Sequence, residues 1–132
     1  MSVEQAIFEH VTGTTAVSDL ISTRLYAVLA PPDVTYPHAV YLRISSEHVE
    51  SLAGGSGLAK TAFMIIAYAR TPLGAVALAE EILIAMYAMA VTLGGTRVHG
   101  GRPVSEDMVF EEEVNAYRFS REFDVWHEEK VA

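Results

Sequence analysis

The segment that starts at Thr71-Pro72 places the strongest constraint on what this chain can fold into. Threonine as N-cap and proline at the first helical position predict a helix start, and the helix is expected to run to about Met89 or Val91. Its apolar residues recur at helical spacing as Leu78, Ile82, Met86 and Met89, and the stripe is widened by Val76, Leu83, Ile84 and Tyr87. A helix this apolar is expected to be buried by more than one neighbour.

Three other segments predict the sheet against which that helix packs. Residues 62–69 form a nearly continuous apolar run, which indicates a central strand covered on both faces. Residues 40–45 are predicted as a half-buried strand, because Val40, Leu42 and Ile44 alternate with Tyr41, Arg43 and Ser45. Near the C-terminus an amphipathic strand is indicated by Tyr117, Phe119, Phe123 and Val125, and Arg121 falls on its apolar face.

Shorter elements complete the predicted architecture. Ser2 as N-cap with Gln5 three residues later opens a first helix, and Gly13 is expected to end it. A second helix is predicted over residues 15–21, with a buried side formed by Val17, Leu20 and Ile21. Short strands are predicted over residues 24–29 and 96–99. The sequence therefore predicts one α+β domain over residues 1–132, with an antiparallel or mixed β-sheet and helices packed on one face.

Composition excludes several classes of function. The chain has no cysteine, which removes disulfides, thiolate zinc sites and thiol nucleophiles. Nine basic against seventeen acidic residues give a net charge of −8, which disfavours binding to nucleic acid or to a membrane surface. The N-terminus lacks the basic region of a signal peptide, and the longest apolar stretch, Ile82 to Val91, is too short to span a bilayer. A protein that is cytosolic when made is expected.

No catalytic, metal or cofactor motif is recognisable in the sequence. None of the five histidines has the i, i+4 spacing of a helical zinc site. The segment from Gly54 to Lys60 superficially resembles a phosphate-binding loop, but the glycine spacing is wrong, and Lys60-Thr61 enters an apolar strand instead of a helix. The sequence therefore predicts a protein that is not an enzyme and that has no cofactor.

Two features are candidate interfaces. Residues 51–57 are rich in glycine and serine, which predicts a mobile loop whose residues Leu52, Gly54, Gly55 and Gly57 become ordered when the protein assembles. Arg121 lies at an inward position, and a buried arginine needs a partner. A bulge that turns the side chain outward, an internal carboxylate and a subunit interface are the three alternatives for Arg121.

A cluster of carboxylates forms a third candidate surface. It consists of Glu106, Asp107, Glu111, Glu112 and Glu113. Charge runs are usually solvated, so the first interpretation is an acidic loop without a specific role. The functional interpretation is an electrostatic contact surface.

The order of these elements resembles that of the tail-completion, or tail-terminator, proteins of long-tailed bacteriophages and gene-transfer-agent particles. The resemblance extends over almost the whole chain and is carried by Ser2-Val3-Glu4-Gln5-Ala6, Arg24-Leu25-Tyr26, Tyr36-Pro37, Val40–Ser45, Tyr117-Arg118-Phe119-Ser120 and Phe123-Asp124-Val125-Trp126. It implies a fold with helices packed on a β-sheet and a protein without catalytic residues.

The same resemblance implies a role in virion assembly. Proteins of this family form a ring, typically hexameric, on the head-proximal end of the tail tube, where the ring stops tube growth and docks to the head connector. The implied partners are further copies of the chain, the tail tube protein and the head-tail connector protein, and DNA passes through the lumen without specific binding. In such a ring the acidic cluster would face either the lumen or a basic patch on a neighbouring ring. The implied location is the virion tail, after assembly in the cytoplasm of the bacterial host.

A different class of function remains open at this point. An apolar pocket between the sheet and the long helix would make the chain a small-molecule binding domain, with Met64, Met86 and Met89 as candidate lining residues. Methionines at helical spacing are, however, usually core residues.

Overall fold

A computed structural model describes residues 3–51, 54–89, 91–93 and 96–128. Its helices are α1 (Val3–Gly13), α2 (Thr15–Ile21) and α3 (Pro72–Tyr87). Its strands are β1 (Leu25–Ala27), β2 (His38–Ser51), β3 (Gly54–Ala69), β4 (Val91–Leu93), β5 (Thr96–Glu111) and β6 (Ala116–Glu128).

The described strands form a single six-stranded sheet in the order β1-β2-β3-β6-β5-β4. Strand β1 pairs with β2 in parallel, and each of the other pairs is antiparallel, so the sheet is mixed. The two outermost strands are short: β1 pairs only with Ala39–Tyr41, and β4 pairs only with residues 96–98. The α+β class with a mixed sheet, predicted from the sequence, is confirmed.

The three helices cover one face of the sheet, which we call the helix face, and the opposite side is the open face. Residues of all three helices join a buried core with the helix-face residues Phe63, Ile65 and Ala67 of β3. Between them, Met64 and Ile66 point to the open face and are only half-buried. The prediction that β3 is covered on both faces is therefore wrong, because no helix in the described part of the chain packs on the open face.

Helix α3 confirms its predicted start and its predicted apolar stripe, but it ends at Tyr87, before the predicted end at Met89 or Val91. The Thr71 side chain accepts a hydrogen bond from the Gly74 amide at 3.0 Å, which caps the helix before Pro72. The predicted stripe of Leu78, Ile82, Met86 and Met89 is buried. The helix contacts β3, β5, β6, α1 and α2, as expected for a helix with more than one neighbour. Its outer side still exposes Leu73, Ile84 and Tyr87.

The N-terminal helices also match the sequence prediction. Helix α1 ends at Gly13 and buries Val3, Ile7 and Val11, whereas the predicted cap Ser2 lies outside the described residues. Helix α2 has the predicted bounds. Leu20, which was predicted on the buried side of α2, is 37% exposed, so that assignment is wrong.

Strand β2 differs from its prediction in which side chains face the core. Ala39 and Tyr41 belong to the core of the helix face, whereas Leu42 lies half-buried on the open face and Ile44 is exposed. The pairing register with β3 shifts between Arg43 and Ser45, so Ile44 sits in a β-bulge. Alternation alone does not say which face the helices cover, so the period-2 pattern did not identify Ala39 and Tyr41 as the core residues, and the bulge then ends the alternation at Ile44.

Candidate functional site

The described residues contain no grouping of three or more metal-ligating side chains. They also include no helix that combines the length and the apolarity needed to cross a bilayer.

Arg121 is buried on the helix face, with 7% of its side chain exposed. Its guanidinium donates to the Ala79 carbonyl at 3.0 Å and to a Glu106 carboxylate oxygen at 2.6 Å, and it lies 3.5 Å from a Glu80 carboxylate oxygen. Its Cζ lies 4.9 Å from the centre of the Phe119 ring. Of the three alternatives, the internal carboxylate is the one observed. An interface role for Arg121 stays a prediction, and the side chain offers a partner little surface.

The five acidic residues do not share one surface. Glu106 points to the helix face beside Arg121, whereas Asp107 pairs in register with Ser120 and points to the open face. Glu111 forms an ion pair with Arg118 at 3.0 Å. Glu112 and Glu113 lie exposed in the turn between β5 and β6.

The prediction of an acidic loop is therefore wrong for Glu106, Asp107 and Glu111, which belong to strand β5. Short-range sequence reading placed a strand only over residues 96–99, because the next residues are rich in glycine and charge. Two of the five carboxylates are bound to arginines, so the exposed acidic group at the turn is reduced to Glu112 and Glu113.

The glycine-rich segment is also more regular than predicted. Gly54, Gly55 and Gly57 belong to strand β3, and Ser51 pairs in register with Gly54. Leu52, the other candidate interface residue of this segment, lies outside the described residues. The prediction of a loop over residues 54–57 is thus wrong, whereas ordering of this hairpin on assembly stays a prediction.

The predicted pocket between sheet and helix does not form with its three methionines. Met86 and Met89 are fully buried in the core. Met64 points to the open face of the sheet, away from α3, because it alternates with the core residues Phe63 and Ile65. The small-molecule alternative in this form is therefore not supported.

Both edges of the sheet carry long stretches without a neighbouring strand among the described residues. On one edge, β2 is free from Leu42 to Ser51, beyond the short β1. On the other, β5 is free from Gly100 to Glu111, beyond the short β4. Strand β5 exposes several apolar side chains along this stretch, namely Val104, Met108, Val109 and Phe110. Unpaired backbone groups on an edge are sites for pairing with another chain.

A cleft lies where the open face meets the connection between β1 and β2, and we call it the end cleft. Its volume is about 250 Å³. The connection provides Val28, Leu29, Ala30, Pro31, Pro32, Val34 and Tyr36; the sheet provides His38, Val40, Ile66 and Tyr68; and the β5–β6 hairpin provides Glu111 and Val114. Three segments that are distant in sequence thus form one site.

His38 lies in the end cleft inside a group of aromatic rings and is 2% exposed. Its ring stacks on Tyr68 at 4.8 Å and meets the edges of Tyr36 and Tyr26 at 4.7 and 6.1 Å between ring centres. Its Nδ1 atom is buried and has no hydrogen-bond partner among the residues the structure describes. Burial lowers the pKa of His38 to about 4, and the charges of Arg24 and Arg70 contribute to the lowering, so the imidazole is neutral at physiological pH.

Charged side chains hold the hairpin wall of the end cleft in place. Arg70 donates to the carbonyls of Val114 and Asn115, and its guanidinium carbon lies 4.0 Å from the centre of the Tyr36 ring. Burial raises the pKa of the Tyr68 hydroxyl, and the charge of Glu111 raises it further, whereas Arg118 opposes the rise. Arg70 thereby links the β5–β6 hairpin to Tyr36 in the segment between β1 and β2.

Sequence reasoning missed the end cleft. One signal was available in the segment Val28-Leu29-Ala30-Pro31-Pro32. Its two prolines disfavour a strand, and the large apolar side chains of Val28 and Leu29 come shortly before them. The structure exposes Val28 and Leu29 to 70% and 82%. The position of His38 inside an aromatic group could not be predicted locally, because two of its three ring neighbours, Tyr26 and Tyr68, are distant from it in sequence.

Comparison with known proteins agrees with this architecture. No curated protein matches the chain. The fold is similar to that of a chain in the solved structure described as the virion of native gene transfer agent (GTA) particle, with a TM-score of 0.75, 16% sequence identity, and coverage of 96% of this chain and 95% of the other. A family model described as tail completion protein gp17 matches residues 5–128. The match covers the described sheet and helices, and the chain belongs to the tail completion protein gp17 family.

Proposed function

We propose that the chain is the subunit of a homo-oligomeric ring, six copies in the simplest case, that closes the head-proximal end of a phage-type tail tube. In this role the ring stops tube growth and presents the docking surface for the head connector, while DNA passes through its lumen. Family membership supports a structural role in a phage tail. The observation that carries the ring is the pair of unlike free edges on one sheet.

The two free edges suit head-to-tail contact. A contact between β2 of one copy and β5 of the next joins two different surfaces, so every copy keeps one edge available for a further copy. Such heterologous contacts produce a ring when the rotation between copies closes. Backbone hydrogen bonds between added strands supply affinity, and side chains along the edge supply specificity.

Exposed apolar side chains support the same contact. Met108 and Phe110 on β5 are 45% and 43% exposed, and α3 exposes Leu73, Ile84 and Tyr87 on its outer side. Complete burial of such a side chain contributes about 1.5–3 kcal/mol. We therefore assign self-association to the β5 edge, with the outer side of α3 as a second contributing surface.

Repulsion between negatively charged copies opposes assembly, and ion pairs within each copy reduce that repulsion. Each copy carries a net charge of −8, so copies repel one another. Arg121 and Arg118 bind Glu106 and Glu111 within the copy, which leaves fewer free carboxylates to face a neighbour. The exposed Asp107, Glu112 and Glu113 remain for the docking surface or for a lumen to which DNA phosphates do not adhere.

Negative-stain microscopy and mass photometry of the purified protein test the ring, with and without tail tube protein. Wild-type protein is expected to form rings as its concentration rises. The double variant Met108→Asp/Phe110→Asp is expected to stay folded and monomeric, because both side chains are exposed and charges on a strand edge oppose pairing. Leu20→Asp is the matched control, since Leu20 is 37% exposed but lies on α2, outside the β5 edge and the end cleft.

Two results would contradict the proposal. One is a wild-type protein that stays monomeric at every concentration and in the presence of tube protein. The other is normal ring formation by the β5 double variant, which would move the contact away from this edge.

A further inference from the structure

We propose that the end cleft docks an extended segment of a partner protein that carries an apolar side chain beside a basic one. The proposal rests on the proposed function only for the source of that segment, a tail protein that meets the ring. Four features of the end cleft support docking: its apolar walls, His38, the backbone conformation at Val28 and the charge at its rim.

The walls of the end cleft fit an apolar side chain. Val40 and Ile66 form its base on the open face, and Leu29 and Val114 stand on opposite sides with 82% and 40% exposure. Leu29 and Val114 are therefore in contact with water in the isolated chain. A side chain inserted between them would be buried from both sides, which is the arrangement of an interface anchor.

His38 indicates that the occupant also brings a polar group. A buried polar atom without a hydrogen bond destabilises the folded state, and Nδ1 of His38 is such an atom among the described residues. Because Nδ1 is buried in the isolated chain, docking has to displace a neighbouring tyrosine ring before the occupant reaches it. A neutral imidazole nitrogen either donates or accepts, depending on its tautomer. The backbone of an extended segment offers both an N–H and a C=O, so it satisfies either tautomer, whereas a purely apolar ligand satisfies neither.

The backbone of the cleft wall stores strain at Val28. Its φ angle is 68°, a left-handed conformation that β-branched residues rarely adopt. The Val28 amide donates to the Tyr41 carbonyl at 2.9 Å, which holds this conformation against the sheet. Residues in such conformations destabilise the folded state and cluster at binding sites. Strain and the partnerless nitrogen of His38 therefore occur in the same cleft.

Charge at the rim selects the partner. Glu112 and Glu113 lie exposed next to the cleft residue Glu111, and Asp33 lies exposed in the opposite wall segment. Glu111 itself is bound by Arg118. A second copy of this chain, with a net charge of −8, would be repelled from this rim. A basic residue that flanks the apolar anchor complements the rim, and complementary charge steers and orients association.

The first test uses overlapping synthetic peptides that span the tail tube and head connector proteins of the same particle, with binding measured by fluorescence anisotropy. At least one peptide that contains an apolar residue next to Lys or Arg is expected to bind. Leu29→Asp is expected to weaken this binding at least tenfold. Leu20→Asp is the matched control, because Leu20 is 37% exposed but lies on α2 outside the end cleft, and it is expected to keep wild-type affinity.

The second test separates binding from structure at His38. His38→Phe keeps a ring of similar shape in the aromatic group but removes the partnerless nitrogen. We expect this variant to unfold at a higher temperature than wild type and to bind the peptide at least tenfold more weakly. In wild-type protein, the ¹⁵N resonance of His38 Nδ1 is expected to move when the peptide is added.

The outcomes distinguish this inference from the ring. Rings that fail to form while the peptide still binds would overturn only the proposed function. The inference is overturned if no peptide binds, if only acidic peptides bind, or if Leu29→Asp and Leu20→Asp bind equally. It is also overturned if His38→Phe is stabilised without any loss of binding, since His38 would then be only a core residue. Glu112→Lys/Glu113→Lys protein that retains affinity but holds DNA in its rings would assign these carboxylates to a lumen instead.

Discussion

The two faces of the sheet have similar sequences on β3 but different surroundings. On the helix face, Phe63 and Ile65 are at most 2% exposed, because α3 and the N-terminal helices cover them. On the open face, Met64 and Ile66 are as apolar but remain half-buried. The connection between β1 and β2 covers only one end of that face, and this is where the end cleft lies.

The difference shows that the apolar content of a strand indicates how much of its surface can be buried in an assembly, but not how much is buried in the isolated chain. A run that is apolar on both faces is expected for a strand covered twice. In this protein the second cover is absent from the described chain, so the open face and the free edges are where assembly can bury further surface.

The largest effect is expected at the centre of the helix-face core. Ile82→Asp places a carboxylate at a position that is 2% exposed, and an unpaired buried charge costs several kcal/mol. Because a whole domain is stable by only about 5–15 kcal/mol, we expect no soluble folded protein. Glu81→Ala on the neighbouring residue is expected to change little. Circular dichroism and thermal melting check both, and equal melting temperatures would show that the buried face of α3 is misassigned.

Adjacent residues of β3 compare the two faces directly. Phe63→Ala is expected to destabilise the fold by about 3–5 kcal/mol, because it opens a cavity in a fully buried core. Met64→Ala on the open face is expected to cost about 1 kcal/mol or less, since that side chain is half-buried before the change. Urea denaturation of the two variants measures the difference. Similar losses would mean that the open face is covered in solution by something the isolated chain provides.

His38, in the end cleft on the open face, is expected to make the free energy of unfolding depend on pH. The pKa of His38 is lowered to about 4 in the folded protein, from the ordinary value of 6.5. The unfolded chain therefore binds more protons than the folded one between these values, so stability falls as the pH drops from about 6.5 to about 4. The two pKa values set a loss on the order of 3 kcal/mol.

Two controls isolate the contribution of His38. His38→Phe is expected to lose this pH dependence while carboxylate titrations below pH 5 persist. Denaturation between pH 5 and pH 7 is the informative range, because the charges of Arg24 and Arg70 do not change there. An unchanged slope in the variant would show that His38 is not the group responsible.

The smallest effect is expected at the ion pair on the open face. Arg118 and Glu111 lie 3.0 Å apart, but each side chain is about a third exposed. Glu111→Gln is expected to cost about 1 kcal/mol or less, because solvent screens exposed pairs. High salt should reduce the cost further. A loss of several kcal/mol in denaturant titrations would instead indicate that the hairpin wall of the end cleft depends on this pair.

The sequence predicted the helices well because their signals are local. Thr71-Pro72 and Gly13 set boundaries by backbone chemistry that depends on a few neighbouring residues, and both boundaries are observed. Strand β5 was largely missed, since its charged and glycine-rich residues suit a loop by composition and become a strand only by pairing with β6. Ile44 was grouped with Val40 and Leu42 on one side of β2, but it is exposed in a bulge, which alternation alone does not indicate.

The candidate site was less predictable than the fold. The acidic residues were identified, but their separation onto two faces depends on the register of β5 against β6. The partner of Arg121 was open from sequence, because Glu106 and Ala79 are brought to it by different elements. The end cleft depends on three segments that meet only in the folded chain, so no spacing rule could indicate it.

The position of β6 in the sheet has a consequence for synthesis. Strand β3 pairs with β2 on one side but with β6 on the other, and β6 leaves the ribosome roughly 50 residues after β3. At ~5–20 residues per second, β3 waits several seconds with one edge and both apolar faces open to other nascent chains. A ribosome that stalls or ends before Ala116 therefore releases a chain whose central strand has no second neighbour. We expect such truncated products to be recovered as aggregates and not as soluble subunits.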